Sequence, residues 1–179
     1  DVDGTILDVN SAFSTVTGYS RAEAIGRNPK MLQSGRHDTA FYTAMWASIK
    51  ETGMWQGEVW NRRKNGEIFP EWLTITAAAA QRDDVHEVSH YVATFSDITA
   101  RKKDEADIYQ LAFFDPLTGL PNRRQIIDRL QQIQAEQARD GSHAALLFID
   151  VDNFKNLNDV KGHDMGDLLL VEIAQRIQA

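Results

Sequence analysis

The chain has no cysteine. That single absence removes disulfides, thiolate metal sites and any covalent cofactor adduct through sulfur, and it suits a reducing cytoplasm, the expected location of this chain even where a parent protein is tethered to a membrane upstream. Long apolar runs are also absent. No stretch approaches the ~20 apolar residues of a membrane span and no signal peptide opens the chain, so no membrane contact is expected within it. Positive charge is scarce: 19 Lys and Arg against 26 Asp and Glu give a formal net charge of −7. This argues against non-specific nucleic-acid or anionic-membrane binding, which needs clustered excess cation. The basic run Asn61-Arg62-Arg63-Lys64-Asn65-Gly66 is too short to reverse that and reads as a solvated hairpin. Low-complexity sequence is missing too, which argues against disorder.

What remains is globular. With 42% hydrophobic residues in 179 there is material for one complete domain and part of another. The chain opens in mid-pattern at "DVDGTILDVN", so upstream segments are expected. Residues 5–9 read as a β-branched strand. Asn10 or Ser11 caps a short helix carrying Phe13 and Val16 and stopped by Gly18, and Ser20 with Glu23 forms a capping-box pattern. Asp38 caps a stronger helix whose Phe41, Met45, Trp46 and Ile49 share a face and which ends at Gly53. Three strand-like runs follow, "MWQGEVWNRR", "EIFPEWLTITAAAA" and "EVSHYVATFSDI", with turns at Lys64-Asn65-Gly66 and Arg82-Asp83-Asp84. The expected architecture is an α+β sandwich: an antiparallel meander with flanking helices and a sheltered pocket between them.

The run "DGTILDVNSAF…TGYSRAEAIGRNPKMLQSG…WQGEVWNRRKNGEIFPEWLTI…YVATFSDITARK" resembles a PAS sensor domain with its C-terminal PAC segment over residues 1–99, with the family's first strand expected before Asp1. Within that group "GRNPKMLQ" resembles the flavin-gripping turn of LOV photoreceptors, but Pro29 stands where their reactive cysteine lies, which excludes light chemistry. Gln33 and Asn61 match the flavin-binding pattern. Glu71 stands in place of a second amide, Phe95 in place of a glutamine and Lys30 in place of a phosphate-gripping arginine, and these departures count against FMN. A second resemblance, of "LQSG…FYTAMW…WQGEVWNRR" to redox-sensing PAS domains that hold FAD, keeps flavin open, with Trp55, Trp60 and Asn61 as ring contacts. The plainer reading makes the tryptophans sheet-face core and the turn fold architecture, with Gly26 for the bend, Pro29 for stiffness and Gly35 for the break.

From Asp97 a charged linker helix is expected over 100–114, capped by Asp97, which can also pair with Arg101 at i,i+4. Its thin apolar seam of Ile98, Ile108, Leu111 and Ala112 would suffice for parallel pairing in a homodimer. Beyond it, "DPLTGLPNRR" precedes an amphipathic helix with Ile126, Ile127, Leu130 and Ile133, and "LLFIDVDNFKNLNDVKGHDMGDLLL" joins an apolar strand ending in Asp-x-Asp to two helices. These resemble the opening of the GGDEF family of diguanylate cyclases, and residues 115–179 are expected to form the first part of a cyclase or palm-like α/β domain. The resemblance implies GTP as substrate and Mg²⁺ as cofactor. A strand over 144–149 would present Asp150 as the metal carboxylate, with the Val151 carbonyl completing the coordination. Asp152 is either a second ligand or, more simply, the N-cap of the next helix. The amides near Asn153 and Phe154 would cradle phosphate, and Lys155 would meet charge developing in phosphoryl transfer.

By the same resemblance Asn158 and Asp167 recognise guanine, an amide reading O6 or N7 and a carboxylate N1 and N2. His163 orders its turn or binds metal, and Asp164 reads as a helix N-cap. No Gly-Gly-Asp/Glu-Glu-Phe turn occurs in the 179 residues. The family's second metal carboxylate and general base belong there, so this stretch is expected to be inactive by itself within a sensor-regulated cyclase that makes cyclic di-GMP. The rival expectation is a non-catalytic switch that binds GTP or cyclic di-GMP and regulates a downstream phosphodiesterase domain.

Overall fold

A computed structural model describes residues 1–82, 85–141 and 143–178. The chain divides into two compact units, Asp1–Lys102 and Lys103–Ala179.

In the first unit the local signals act as written. Helix α1 (Ser11–Thr17) is capped by Asn10, whose side chain accepts from Phe13 N at 2.9 Å, and ends at left-handed Gly18. Helix α2 (Arg21–Ala24) carries the full Ser20–Glu23 capping box. A 3₁₀ turn over Pro29–Leu32 follows, with proline in its first turn, where no donor is missed. Helix α3 (Thr39–Thr52) is capped by Asp38 and closed by Gly53. The sheet is a three-stranded antiparallel meander of β1 (Met54–Arg62), β2 (Ile68–Arg82) and β3 (Val85–Asp97), in the order β1-β2-β3. Its registers pair Asn61 with Phe69 and Glu71 with Asp97, with a bulge at Ala78/Ala79. The Lys64-Asn65-Gly66 turn closes through Arg63 N to Glu67 O at 2.8 Å. The turn expected at Arg82-Asp83-Asp84 falls largely outside the described residues.

Strand alternation sends Val59, Asn61, Phe69, Glu71 and Ile75 inward, all of them buried. Phe13, Ala24 and Leu32 form one core cluster beneath the short helices. Met45, Ile49 and Ile75 form another between α3 and the sheet, walled by Trp46, Trp55 and Tyr91. The α3 stripe therefore is core.

Two expectations for this unit are corrected. Residues 5–9 do not form a strand. Ile6 exchanges backbone bonds with Arg27 and Gly26 at 2.9 Å each, so this extended segment is tied to the α2 end rather than to a sheet edge. The run 61–66 is a hairpin but not a solvated one at its start: Asn61 is buried, and the Arg63 guanidinium lies 3.9 Å from the Phe69 ring centroid and binds Asp97.

Helix α4 (Thr99–Phe113) starts where Asp97 Oδ1 accepts from Thr99 N at 2.8 Å. Its Ile98 neighbour is buried, whereas Ile108 and Leu111 are 66% and 72% exposed. In the second unit the "DPLTGLPN" loop is tightly wired: Asp115 Oδ1 accepts from both Thr118 N and Thr118 Oγ1 at 2.8 Å, which holds its carboxyl below the usual range. Asn122 then caps α5 (Arg123–Asp140) while donating to Ala112 O. Helices α6 (Phe154–Lys161) and α7 (His163–Gln178) complete the unit. The strand expected over 144–149 is absent, and Leu147 and Phe148 are 81% and 93% exposed. A strand must exchange its backbone bonds with another, and the described residues of this unit otherwise form helices, turns and one isolated bridge.

Candidate functional site

Two places carry candidate chemistry, one in each unit. In the first, the inner sheet face, the N-terminal segment and α3 line a half-open cavity of about 1390 Å³. Gln33 and Asn61 line it and form an isolated bridge with one another. Lys30, Glu71 and Phe95, noted above as departures from the LOV pattern, line it as well. Trp55 and Trp60 do not, which corrects their expected role as ring contacts. Trp60 faces the outer side by strand parity, donating Nε1 to Glu58 at 3.1 Å and stacking under Arg36. Trp55 meets Phe41 edge-on and packs with the α3 core. An FAD held here would find the amide and acid edge but not the expected indoles.

Glu71 is the group that the sequence did not single out as functional. It is 2% exposed; Asn61 Nδ2 donates to its Oε1 at 2.9 Å, and its Oε2 is buried without a hydrogen-bond partner among the described residues. Burial pushes its carboxyl up to about 7, opposed by the Asn61 bond, reinforced by Asp97 and relieved in part by Arg63. Tyr42, on α3, is raised by burial and then by Glu71. The sequence signal was a charged residue on the inward parity of a strand.

In the second unit the expected strand-end residues sit on a turn. Asp150 precedes it, and the Val151 carbonyl accepts from Phe154 N at 3.3 Å, so that amide turns back onto its own turn rather than standing free. Asp152 is not the cap of α6. Asn153 is, in the left-handed conformation (φ 59°) that asparagine tolerates, and without a side-chain cap bond. Lys155 is exposed one residue into the helix. Asp164 is not a cap either: Gly162 closes α6 by donating to Asn158 O at 2.8 Å, α7 begins at His163, and Asp164 lies in its first turn, where its charge still favours the helix N-terminus.

The packing of α6 on α7 brings Asn158 against Gly166, one residue from exposed Asp167. Asn158 Oδ1 is buried without a hydrogen-bond partner among the described residues, and a Cβ at position 166 would stand 1.9 Å from it. Gly166, a position the sequence reading passed over, is therefore what lets the Asn158 amide approach the first turn of α7. No group of three or more His, Cys, Asp or Glu suited to a metal occurs among the described residues. The donors at Asp150 and Val151 are hard oxygens, which fit Mg²⁺ in kind and leave most of its shell to water and phosphate.

Residues 1–100 match the PAS domain family, and residues 112–179 match diguanylate cyclase, GGDEF domain. The chain belongs to the PAS domain family and continues into the N-terminal part of a GGDEF domain. It is 47% identical over 81 residues to a bifunctional diguanylate cyclase/cyclic di-GMP phosphodiesterase, MucR, of Pseudomonas aeruginosa, covering 45% of this chain and 12% of that protein. It is 32% identical over 176 residues to an uncharacterized signaling protein of Caulobacter vibrioides, covering 98% of this chain and 21% of the relative. The chain thus spans about a fifth or less of the length of these relatives. Among solved structures, a PAS domain of Colwellia psychrerythraea aligns with TM-score 0.51 at 27% identity, over 56% of this chain and 83% of that one. No helix among the described residues is long and apolar enough to cross a membrane.

Proposed function

We propose that this chain is the sensor and the opening of the catalytic domain of a diguanylate cyclase, which condenses two GTP into cyclic di-GMP. The observation that carries this reading is the approach of Asn158 to Gly166, one residue from exposed Asp167; the amide and the carboxylate would read the acceptor and donor edges of guanine. Asp150 and the Val151 carbonyl would hold Mg²⁺, which supplies Lewis-acid stabilisation of phosphate charge when bound. Asn153 would face phosphate, the Phe154 amide could join it only by leaving the Val151 carbonyl, and Lys155 would balance charge in the transfer. The 179 residues contain no Gly-Gly-Asp/Glu-Glu-Phe turn, and the activity is proposed for a longer parent working as a homodimer.

The test uses that parent. Asp150→Asn abolishes cyclic di-GMP synthesis, because an amide supplies no anionic metal ligand. Asn158→Ala weakens GTP binding and guanine selectivity by about 1–3 kcal/mol while metal dependence persists, as for an unpaired polar contact. Near-normal product formation by Asp150→Asn at saturating Mg²⁺ and GTP would move the metal role to Asp152. If the intact parent binds GTP but makes no product, the non-catalytic switch is the correct reading.

A further inference from the structure

Glu71 is a carboxylic acid lining the first unit's cavity, with one oxygen held and the other unpaired among the described residues. Asn61 on β1 holds Oε1, and Oε2 lies buried without a hydrogen-bond partner among the described residues. Directly opposite Glu71 in the β2–β3 register stands Asp97, the last residue of β3, and opposed residues of an antiparallel pair lie close enough for their charges to interact. Asp97 is the clasp from which α4 departs. One of its oxygens accepts from Thr99 N and the other binds Arg63. Arg63 also donates to Val16 O and Glu67 and lies over the Phe69 ring. At the next residue Ile98 N donates to Pro70 O at 3.0 Å, and on the first turn Lys102 pairs with Glu58 at 2.7 Å.

We infer that Glu71 is the positioning residue through which the state of the sensor cavity reaches the start of α4: charge gained on its carboxyl loosens the Arg63–Asp97 clasp, and charge lost tightens it. The physical cause is competition. A neutral Glu71 makes no charged claim on Arg63, whereas an anionic Glu71 repels the opposed Asp97 and draws on the guanidinium that binds it. Burial favours the neutral acid, so the change falls in the neutral pH range. A ligand that reaches the unpaired Oε2 and donates an N–H or O–H to it favours the anion and acts like a rise in pH. Tyr42 on α3 also faces Glu71, and the cavity wall carries Asp8, Lys30, His37, Asp38, Lys50 and His90. The test must therefore separate Glu71 from the histidines.

The inference goes beyond the cyclase reading, and its measurement involves no nucleotide. In the whole 179-residue chain, hydrogen exchange at the Thr99 to Lys102 amides, corrected for intrinsic rate, is followed from about pH 6 to about pH 8 alongside the carbon resonance of the Glu71 carboxyl. Protection is expected to fall by about threefold or more with the same midpoint as the carboxyl. Glu71→Gln, nearly isosteric and uncharged, makes protection independent of pH, and Asp97→Asn moves the Glu71 midpoint downward, as reciprocal coupling requires. Should Glu71→Gln fail to fold, coincidence of the two midpoints in the unaltered chain still decides. The inference is overturned if Glu71→Gln retains the original pH dependence, which would assign it to His37 or His90. It is equally overturned if Glu71 titrates while the amides stay protected, or if Asp97→Asn leaves its midpoint in place.

Discussion

At the scale of single residues, the charges of this chain divide by environment rather than by type. Glu23, on the surface, is held down to about 2, first by the Lys64 ammonium and then by the Ser20 amide and hydroxyl. Asp97 is lowered although burial, the largest influence on it, pushes the other way, because bonds from Arg63 and Thr99 together outweigh that burial. Glu71 is instead driven up, to about 7. The sign follows. Its folded-state value lies above the ordinary 4.5, so the folded chain holds this proton more tightly than the unfolded chain does. Its contribution is intact below about pH 4.5 and is lost progressively up to about pH 7, a loss of about 3 kcal/mol at most. We expect Glu71→Gln to remove this component. Denaturant unfolding at about pH 5 and about pH 8 will show a smaller stability difference for the variant than for the unaltered chain; equal differences would show that Glu71 is solvated in solution.

At the scale of elements, close approach decides function more than propensity does. Helix α7 carries glycine in its first turn, a residue that weakens a helix by about 1 kcal/mol relative to alanine, and its backbone is buried against Asn158. In the intact parent, Gly166→Ala places a methyl group where Asn158 Oδ1 and, at 3.2 Å, the Phe154 ring now stand. The helix gains propensity, yet under the proposed base-reading role of Asn158 GTP affinity is expected to fall about tenfold, a loss of about 1.4 kcal/mol. Calorimetric titration with GTP checks this, and unchanged affinity would separate Asn158 from base recognition. The strand expected over 144–149 teaches the converse: an apolar run has strand character only where another strand accepts its backbone bonds.

At the scale of the whole molecule, α4 joins the two units while leaving Ile108 and Leu111 largely in solvent. Pairing of two chains along this helix would cover them. Replacing both by Asp is expected to weaken dimerisation of the parent by about 1 kcal/mol or more per chain, the cost of charge in an apolar seam. Sedimentation across a concentration series reads this directly, and an unchanged dimer would assign association to another surface.

Much of the fold was legible in the sequence because its signals are local. Asn10, the Ser20–Glu23 box, Asp38 and Asn122 cap helices through bonds spanning a few residues, and the three strands follow alternation and turn chemistry within a few residues of each strand. The absence of cysteine excluded sulfur chemistry without any structure. Tertiary structure decided whatever depends on residues distant in sequence. It turned Trp60 outward and committed Trp55 to the α3 core, where the sequence left both open between ring contact and sheet-face core. It left residues 5–9 and 144–149 without strand partners. It also set Glu71 opposite Asp97, 26 positions along the chain, and brought Gly166 against Asn158. Local bonds are written in neighbouring residues, whereas burial, pairing and the shift of a carboxyl depend on what the rest of the chain brings alongside.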